Sequence, residues 1–342
     1  MSCPSIINTV PVGVNPGGIA ITSNGKFAYV ANNNNYGIPG QDSVTVIDLQ
    51  KNHAVTTIFD SSFNQPYAIT INENKAYVMN SNASTISIIN TDTNKVIGII
   101  NGLDGPSGMV ITLDKKFGFV NNYGGPSGKG SGNANTVSVV DLSINNVIQE
   151  ITVGLAPADL AISPDYKKIY VANYETGNPG TGTVSIIDVI TRVVIGTIKG
   201  FSGPFNIRIT PNGLFAYVSN FGSNNFSPFG NTVSIISLTT NQISKTLTLG
   251  IQPSGIAISP NGKRVYVTNY NTLYQNPINF SNLTAGQGLV SIIDAEKQIV
   301  CSKTIEVGLS PANAIVSQDN TKLYVSTYTS NVVNIVKLWE IK

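Results

Sequence analysis

Two residues of opposite charge, Asp159 and Arg208, are the strongest candidates for chemistry in this sequence. Asp159 lies two residues after Pro157 and Arg208 lies four residues after Pro204, in segments that are otherwise uncharged. A charge near an apolar core usually has a partner, so the two residues either form a structural ion pair or orient a polar ligand. The ion pair is the preferred interpretation, and the choice depends on the elements that carry the two residues.

Other residue types that support catalysis are scarce. His53 is the single histidine, and the two cysteines form no metal-binding or redox motif. A Ser-His-Asp triad, a multi-histidine metal site and histidine-ligated haem or copper are therefore not supported. A carboxylate mechanism or a calcium site could still use Asp159, Glu175 or Asp42, although no paired carboxylates accompany them.

The composition argues against two further classes of function. Charged residues make up 11% of the 342 residues, and the net charge is +2 with no run of one sign. The basic footprint of a nucleic-acid-binding protein is therefore missing. No segment approaches the roughly 18 consecutive apolar residues of a transmembrane helix. The first residues lack a basic and then apolar secretory pattern, so we expect an intracellular protein or a mature secreted domain.

The elements that carry the charged pair belong to seven copies of one unit. Each unit contains an aromatic residue, a valine and, in six units, an asparagine that follow one another closely. The aromatic residues of this segment are Tyr29, Tyr77, Phe119, Tyr170, Tyr217, Tyr266 and Tyr324. A proline starts each unit, at Pro16, Pro66, Pro106, Pro157, Pro204, Pro253 and Pro311.

Each full unit contains four short segments rich in valine, isoleucine and tyrosine and bounded by turn residues, which predicts four β-strands, A to D. Seven such units predict an all-β, seven-bladed β-propeller of four-stranded blades. The last unit lacks strand D, whereas residues 5–14 form an extra strand before the first unit. We therefore expect the N-terminal strand to be the outer strand of the last blade. It would close the ring into a single domain spanning residues 1–342.

The segment Tyr266–Asn269 reads YVTN, and essentially the whole chain resembles the YVTN-repeat family of seven-bladed β-propellers. That family is found in surface-layer and other cell-surface proteins of archaea and bacteria. The resemblance implies the propeller fold and suggests a cell-surface location. It implies little about activity, because propellers host many unrelated functions.

The repeated residues have structural explanations. The strand-B aromatic residue and the valine after it would face the two neighbouring blades. The asparagine that ends strand B is suited to capping backbone groups, and the aspartate that ends strand C in four units is suited to accepting N–H bonds in the following turn. Function is therefore more readily found where the units differ.

The B–C connection differs most between units. From the last residue of strand B to the first valine or isoleucine of strand C, the step varies between 6 and 21 residues. These loops combine tyrosine and phenylalanine with glycine, asparagine and serine, a composition typical of antibody paratopes. The B–C and D–A connections of a blade share one face of a propeller, so we expect recognition on this face.

Two sets of residues on this face are candidate ligand-binding residues. The first set follows strand B directly and is aromatic in five units: Tyr123, Tyr174, Phe221, Tyr270 and Tyr328. The second set lies in strand A, beside the central channel: Tyr67, Asp159, Phe205, Asn206, Arg208 and Asn313. The aromatic residues either cover the core of their own blade or form part of a ligand or partner surface.

The sequence thus favours a non-catalytic recognition propeller that presents its long-loop face to a protein, a glycan or a small ligand, at a cell or particle surface. One alternative is an enzyme or cofactor-binding propeller with its site near Asp159 and Arg208. A second alternative is an intracellular scaffold. No catalytic residue, metal or cofactor is assigned from the sequence, and nucleic acid is not an expected partner.

Overall fold

The computed structural model describes residues 4–34, 40–124, 134–175, 180–222, 230–270, 272–274, 283–285 and 288–338. Within these ranges the protein contains β-strands and no helix. The strands form seven four-stranded antiparallel sheets and one two-stranded hairpin. The prediction of an all-β, seven-bladed propeller is confirmed.

The first three blades consist of strands that pair in sequence order. Blade 1 contains β2 (Pro16–Ile21), β3 (Phe27–Asn32), β4 (Ser43–Asp48) and β5 (His53–Ile58). Blade 2 contains β6 (Pro66–Asn72), β7 (Lys75–Asn80), β8 (Thr85–Asn90) and β9 (Lys95–Ile100). Blade 3 contains β10 (Pro106–Ile111), β11 (Phe117–Asn122), β12 (Thr136–Asp141) and β13 (Asn146–Thr152).

The next three blades repeat this order. Blade 4 contains β14 (Pro157–Ile162), β15 (Lys168–Asn173), β16 (Gly182–Asp188) and β17 (Val193–Phe201). Blade 5 contains β18 (Pro204–Ile209), β19 (Phe215–Asn220), β20 (Thr232–Ser237) and β21 (Gln242–Thr248). Blade 6 contains β22 (Pro253–Ile258), β23 (Arg264–Asn269), β26 (Gly288–Asp294) and β27 (Ile299–Val307). A hairpin of β24 (Thr272–Tyr274) and β25 (Leu283–Ala285), which the sequence pattern did not predict, lies in its B–C connection.

The seventh blade is completed by the N-terminal strand. It contains β28 (Pro311–Val316), β29 (Lys322–Thr327), β30 (Val332–Lys337) and, outermost, β1 (Ser5–Pro11). β1 runs antiparallel to β30, with Ser5 opposite Lys337 and Pro11 opposite Val332. Closure by the N-terminal strand is thus confirmed, although the strand ends at Pro11 rather than at residue 14.

The hydrophobic core is divided into layers between blades. Seven clusters of buried apolar side chains each combine residues from two adjacent blades. The cluster between blades 7 and 1, for example, contains Val10 of β1, Tyr324 of β29 and Val30 of β3. Strand-B side chains alternate between the two faces of a blade, which explains why tyrosine and valine recur together.

The strand-B asparagine bonds mainly to side chains; the predicted bonds to backbone occur in Asn122, whose Oδ1 accepts the N–H of Asp104, and in Asn269, whose Nδ2 donates to the carbonyl of Leu289. In Asn32 the side-chain Nδ2 donates to the hydroxyls of Ser43 and Thr45 on strand C, at 3.1 and 3.0 Å. The same type of bond to strand-C hydroxyls recurs in blades 2 to 6. This side-chain ladder ties strand B to strand C where the strands reach the long-loop face. The strand-C aspartates do cap turns as predicted, as Asp48 accepts the N–H groups of Gln50 and Lys51.

Candidate functional site

A repeated hydrogen bond positions one residue of every blade at the channel mouth. We call it the rim bond: the amide of the residue after strand B donates to the carbonyl of the residue before the strand-A proline, at 2.9 to 3.1 Å in all seven blades. The residue before the proline has a positive φ in each blade, between 50° and 60°. The seven donors are Asn33, Ser81, Tyr123, Tyr174, Phe221, Tyr270 and Tyr328. Five consecutive blades therefore carry an aromatic residue at an equivalent position.

These five aromatic residues and Phe205 form a continuous arc of rings, which we call the aromatic collar. Neighbouring ring centroids are 5.1 to 6.3 Å apart, in the order Tyr123, Tyr174, Phe205, Phe221, Tyr270 and Tyr328. Two of the five pairs are edge-to-face and three are tilted, so none is the face-to-face stack that aromatic quadrupoles disfavour. Tyr174 is 4% exposed, and its hydroxyl donates to the carbonyl of Gly222 at 2.6 Å. The rings thus support one another across blades rather than covering each blade separately.

The collar borders a cavity of about 1300 Å³ that extends from the mouth of the central channel along strand A. Strand A of every blade contributes to its wall, and five of the six collar residues line it, Tyr123 being the exception. Tyr67 also lines the cavity. Burial raises the pKa of the Tyr67 hydroxyl well above its ordinary value, and electrostatic effects of Tyr123, Asp159 and Tyr270 raise it further. Tyr67 therefore lies within electrostatic range of residues from several blades.

The two charged candidates form an ion pair inside the cavity. Nη1 of Arg208 lies 2.5 Å from Oδ2 of Asp159, and both residues line the cavity wall. The same Oδ2 accepts the backbone N–H of Ile207 at 3.1 Å. The Asp159 side chain is 12% exposed and that of Arg208 is 36% exposed. The predicted ion pair is thus present, and Arg208 has the more exposed side chain of the two.

Asn206 shows what the Asp159 carboxylate contributes to the fold. Asn206 occupies in blade 5 the position that Asp159 occupies in blade 4, and its Oδ1 accepts the N–H of Ile256 in blade 6 at 3.0 Å. Asp159 makes the equivalent contact to Ile207 in blade 5. An amide oxygen is therefore sufficient for this contact between blades. The negative charge of Asp159 serves Arg208 instead.

The remaining strand-A candidate, Asn313, also lines the cavity, and its Oδ1 accepts the N–H of Ala314 at 2.8 Å. Asn33, Thr70 and Gln252, which were not predicted as candidates, line the same wall. Their registers could have identified Asn33 and Gln252, because Asn33 follows strand B and Gln252 precedes a strand-A proline.

Other carboxylates lie elsewhere. Asp42 and Glu175 are not part of the cavity wall, which among the described residues contains Asp159 as its one carboxylate. Within the described ranges, no group of three or more histidine, cysteine, aspartate or glutamate residues is arranged to hold a metal ion. His53 lies at the start of β5, where it is exposed. Asp159 thus has no second carboxylate or histidine beside it in this wall.

The carboxyl group of Asp42, in the B–C connection of blade 1, is partly buried. Its Oδ1 is buried without a hydrogen-bond partner. Burial raises the pKa of Asp42 to about 6, although a bond from the Gln65 backbone opposes this rise. Between pH 3.8, the ordinary pKa of the group, and about pH 6, Asp42 therefore keeps its proton in the folded protein but loses it in the unfolded chain. Asp42 consequently makes the protein less stable as the pH rises through this window.

We expect Asp42→Asn to unfold at the same temperature as the wild type near pH 4 and at a higher temperature at pH 7 to 8, since the amide stays neutral. Thermal unfolding followed by circular dichroism over this pH range measures the difference. Asp48→Asn is the matched control, because backbone N–H bonds from Lys51 and Gln50 lower the pKa of Asp48. Its effect should have the opposite sign, and equal pH profiles for the two variants would contradict the assignment.

Much of the predicted recognition surface lies outside the described residues. This holds for residues 35–39, 125–133, 176–179, 223–229, 271, 275–282 and 286–287 of the B–C connections. The collar lies where four of these loops begin. Within the described ranges, no helix has the length and apolar character needed to span a bilayer.

Comparison with known proteins supports the fold. No family model matches the chain. A segment of 159 residues, 45% of this chain, is 29% identical to the seven-bladed β-propeller protein Rv1057 of Mycobacterium tuberculosis and covers 37% of that protein. A segment of 58 residues, 17% of this chain, is 40% identical to the PE-PGRS family protein PE_PGRS18 of the same organism and covers 13% of it. The chain thus matches less than half the length of either curated relative.

A solved structure is similar over almost the whole chain. It is a chain of the hydrazine synthase of Kuenenia stuttgartiensis, with a TM-score of 0.76 over 95% of this chain and 96% of that chain. The two sequences are 20% identical, so the similarity establishes a shared propeller fold and nothing about activity.

Proposed function

We propose that this seven-bladed β-propeller is a non-catalytic recognition protein that binds its ligand in the mouth of the central channel. The observation that carries the proposal is the aromatic collar on a cavity of about 1300 Å³. Ligand pockets typically measure roughly 300–1,000 Å³ and combine apolar walls with a few polar groups. The channel mouth has this character and is large enough for a sizeable ligand.

The collar is well suited to binding because its rings are already held in place. Aromatic side chains offer a large contact area and lose little conformational entropy on binding. Mutual ring contacts and the rim bonds fix them further. The B–C connections begin next to the collar, so a small organic ligand, or the protruding end of a protein or glycan, would enter from this face.

A catalytic function has no comparable support. Oδ2 of Asp159 accepts bonds from both Arg208 and the Ile207 amide. These two bonds give the carboxylate a structural role, because they join strand A of blade 4 to strand A of blade 5. Among the described residues, the wall offers neither another carboxylate nor a histidine that could act as a general acid or base.

A location at a cell or particle surface is part of the proposal. It is supported by the resemblance to YVTN-repeat propellers and by loops rich in asparagine, serine, threonine and tyrosine. The low charged fraction of 11% agrees with a surface built for contact through neutral polar groups.

A neutral fluorescent aromatic probe, phenylnaphthylamine, tests the site. We expect saturable binding of one molecule per chain, weakened about tenfold in Phe221→Ala, because each lost aromatic contact costs about 1 kcal/mol or more. Fluorescence titration measures the dissociation constant. Phe59→Ala is the control, since Phe59 is 63% exposed and does not line the cavity. Equal loss in both variants, or no saturable binding, would contradict the proposal.

A further inference from the structure

We infer that the ligand carries an oxyanion, such as a carboxylate or a sulfonate, attached to a ring system, and that Arg208 binds this oxyanion while the collar holds the ring. The inference rests on the proposed binding function of the channel mouth. It adds the chemical class of the ligand, which the collar alone does not define.

Arg208 is an exception within its repeat. It is the fourth residue after Pro204 in strand A of blade 5, and it lies opposite Tyr217 of strand B. The positions opposite the strand-B aromatic residue in the other blades are uncharged: Ala20, Thr70, Val110, Ala161, Ala257 and Ile315. The fold therefore does not require a cation at this depth of the channel.

The guanidinium keeps donors available for a ligand. A guanidinium has five N–H groups. Within the described residues, Arg208 donates through Nη1 alone, to Oδ2 of Asp159 and to the carbonyl of Ile207. Its side chain is 36% exposed in the cavity wall, so Nε and Nη2 are left for bonds to a bound molecule. Such a planar pair of donors matches the two oxygens of a carboxylate.

Asp159 adjusts this site without blocking it. The carboxylate holds Nη1 in place and reduces the positive charge that a ligand meets, yet it is itself only 12% exposed. A ligand that enters the cavity therefore contacts the cation more readily than the anion. A cationic ligand would gain attraction to the tyrosine rings but would be opposed by the exposed guanidinium.

Opposite effects of the two charges provide the test. The probe is anilinonaphthalene sulfonate, and phenylnaphthylamine serves as the same ring system without the sulfonate. We expect Arg208→Met to weaken binding of the sulfonate about tenfold or more, because charge-assisted hydrogen bonds are lost. We expect Asp159→Asn to strengthen sulfonate binding severalfold, because the change removes the negative charge beside the guanidinium. The amide should keep the contact to Ile207, as Asn206 does to Ile256. Binding of the neutral probe should change less than twofold in both variants.

Arg264→Met is the matched control. Arg264 forms an ion pair with Asp294 at 2.9 Å and does not line the cavity, so its loss should leave both probes unaffected. Circular dichroism verifies the fold of each variant. If Arg208→Met does not fold, the sulfonate affinity of Asp159→Asn is the test: stronger binding supports the inference and unchanged binding contradicts it. This inference would be overturned if Arg208→Met and Asp159→Asn both left the affinity for the sulfonate unchanged. If Phe221→Ala still weakened binding of the neutral probe, the proposed function would stand. Failure of both probes to saturate would overturn both.

Discussion

A chain that begins at Val12 is expected to lose at least about 3 kcal/mol of unfolding free energy, because it lacks the outer strand of blade 7. The truncation removes the pairing of β1 with β30 and takes Val10, which is 2% exposed, out of the cluster between blades 7 and 1. It also leaves β30 as an unpaired edge, which promotes association between chains. Urea unfolding and sedimentation velocity measure the two effects.

Two substitutions in β1 distinguish stabilisation by its buried side chains from an effect of chain length alone. Val10→Ala should cost about 2 kcal/mol, since it removes buried methyl groups. Ile7→Ala should change stability by less than about 0.5 kcal/mol, because Ile7 is 46% exposed. An unchanged urea midpoint in the truncated chain would show that β1 does not stabilise the ring.

Tyr170→Ala is expected to cost about 3 to 5 kcal/mol, and Tyr170→Phe about 1 kcal/mol. Tyr170 is 1% exposed in the core layer between blades 4 and 5. Its hydroxyl donates to Oδ1 of Asn241 in the C–D turn of blade 5, at 3.0 Å. Loss of the ring leaves a cavity in this layer, whereas loss of the hydroxyl removes one bond between blades. Urea unfolding of both variants measures the two contributions.

Blade 3 provides a natural reference for the hydroxyl. Phe119 occupies the equivalent position there and is fully buried, so the ring packs without a hydroxyl group. Combining Tyr170→Phe with Asn241→Ala should therefore cost less than the sum of the two single changes, because both remove the same bond. Strict additivity would mean that this bond does not couple the blades.

The sequence predicted the fold well because propeller blades are local units. Each strand pairs mainly with its neighbour in sequence, so strand patterns and turns were sufficient to place them. Closure could be predicted for the same reason, since one unit lacked a strand that residues 5–14 could supply. The strand-B asparagines were interpreted less well. Their amides meet strand-C hydroxyls two residues apart, and this contact depends on the pleat of the finished sheet.

The candidate site could be predicted only in part. Register within the repeat selected Tyr174, Phe221 and Tyr270, which do line the cavity. It could not reveal that Phe205, from strand A, lies between Tyr174 and Phe221 and completes the arc. These two contacts of Phe205 join residues 31 and 16 positions apart and depend on the radius of the closed ring. The partner of the Arg208 guanidinium was predictable, whereas the exposed fraction of the Arg208 side chain was not.

The rim bond has a consequence for how such a protein can be varied. In every blade this bond fixes the chain before the B–C connection begins, so a longer or shorter connection need not shift the residue at the channel mouth. Loop closure costs little more free energy as a loop lengthens. The rim-bonded residues at the channel mouth can therefore stay in place while the B–C connections vary in length and sequence. New specificities could be engineered by grafting loops outside the rim while the collar remains unchanged.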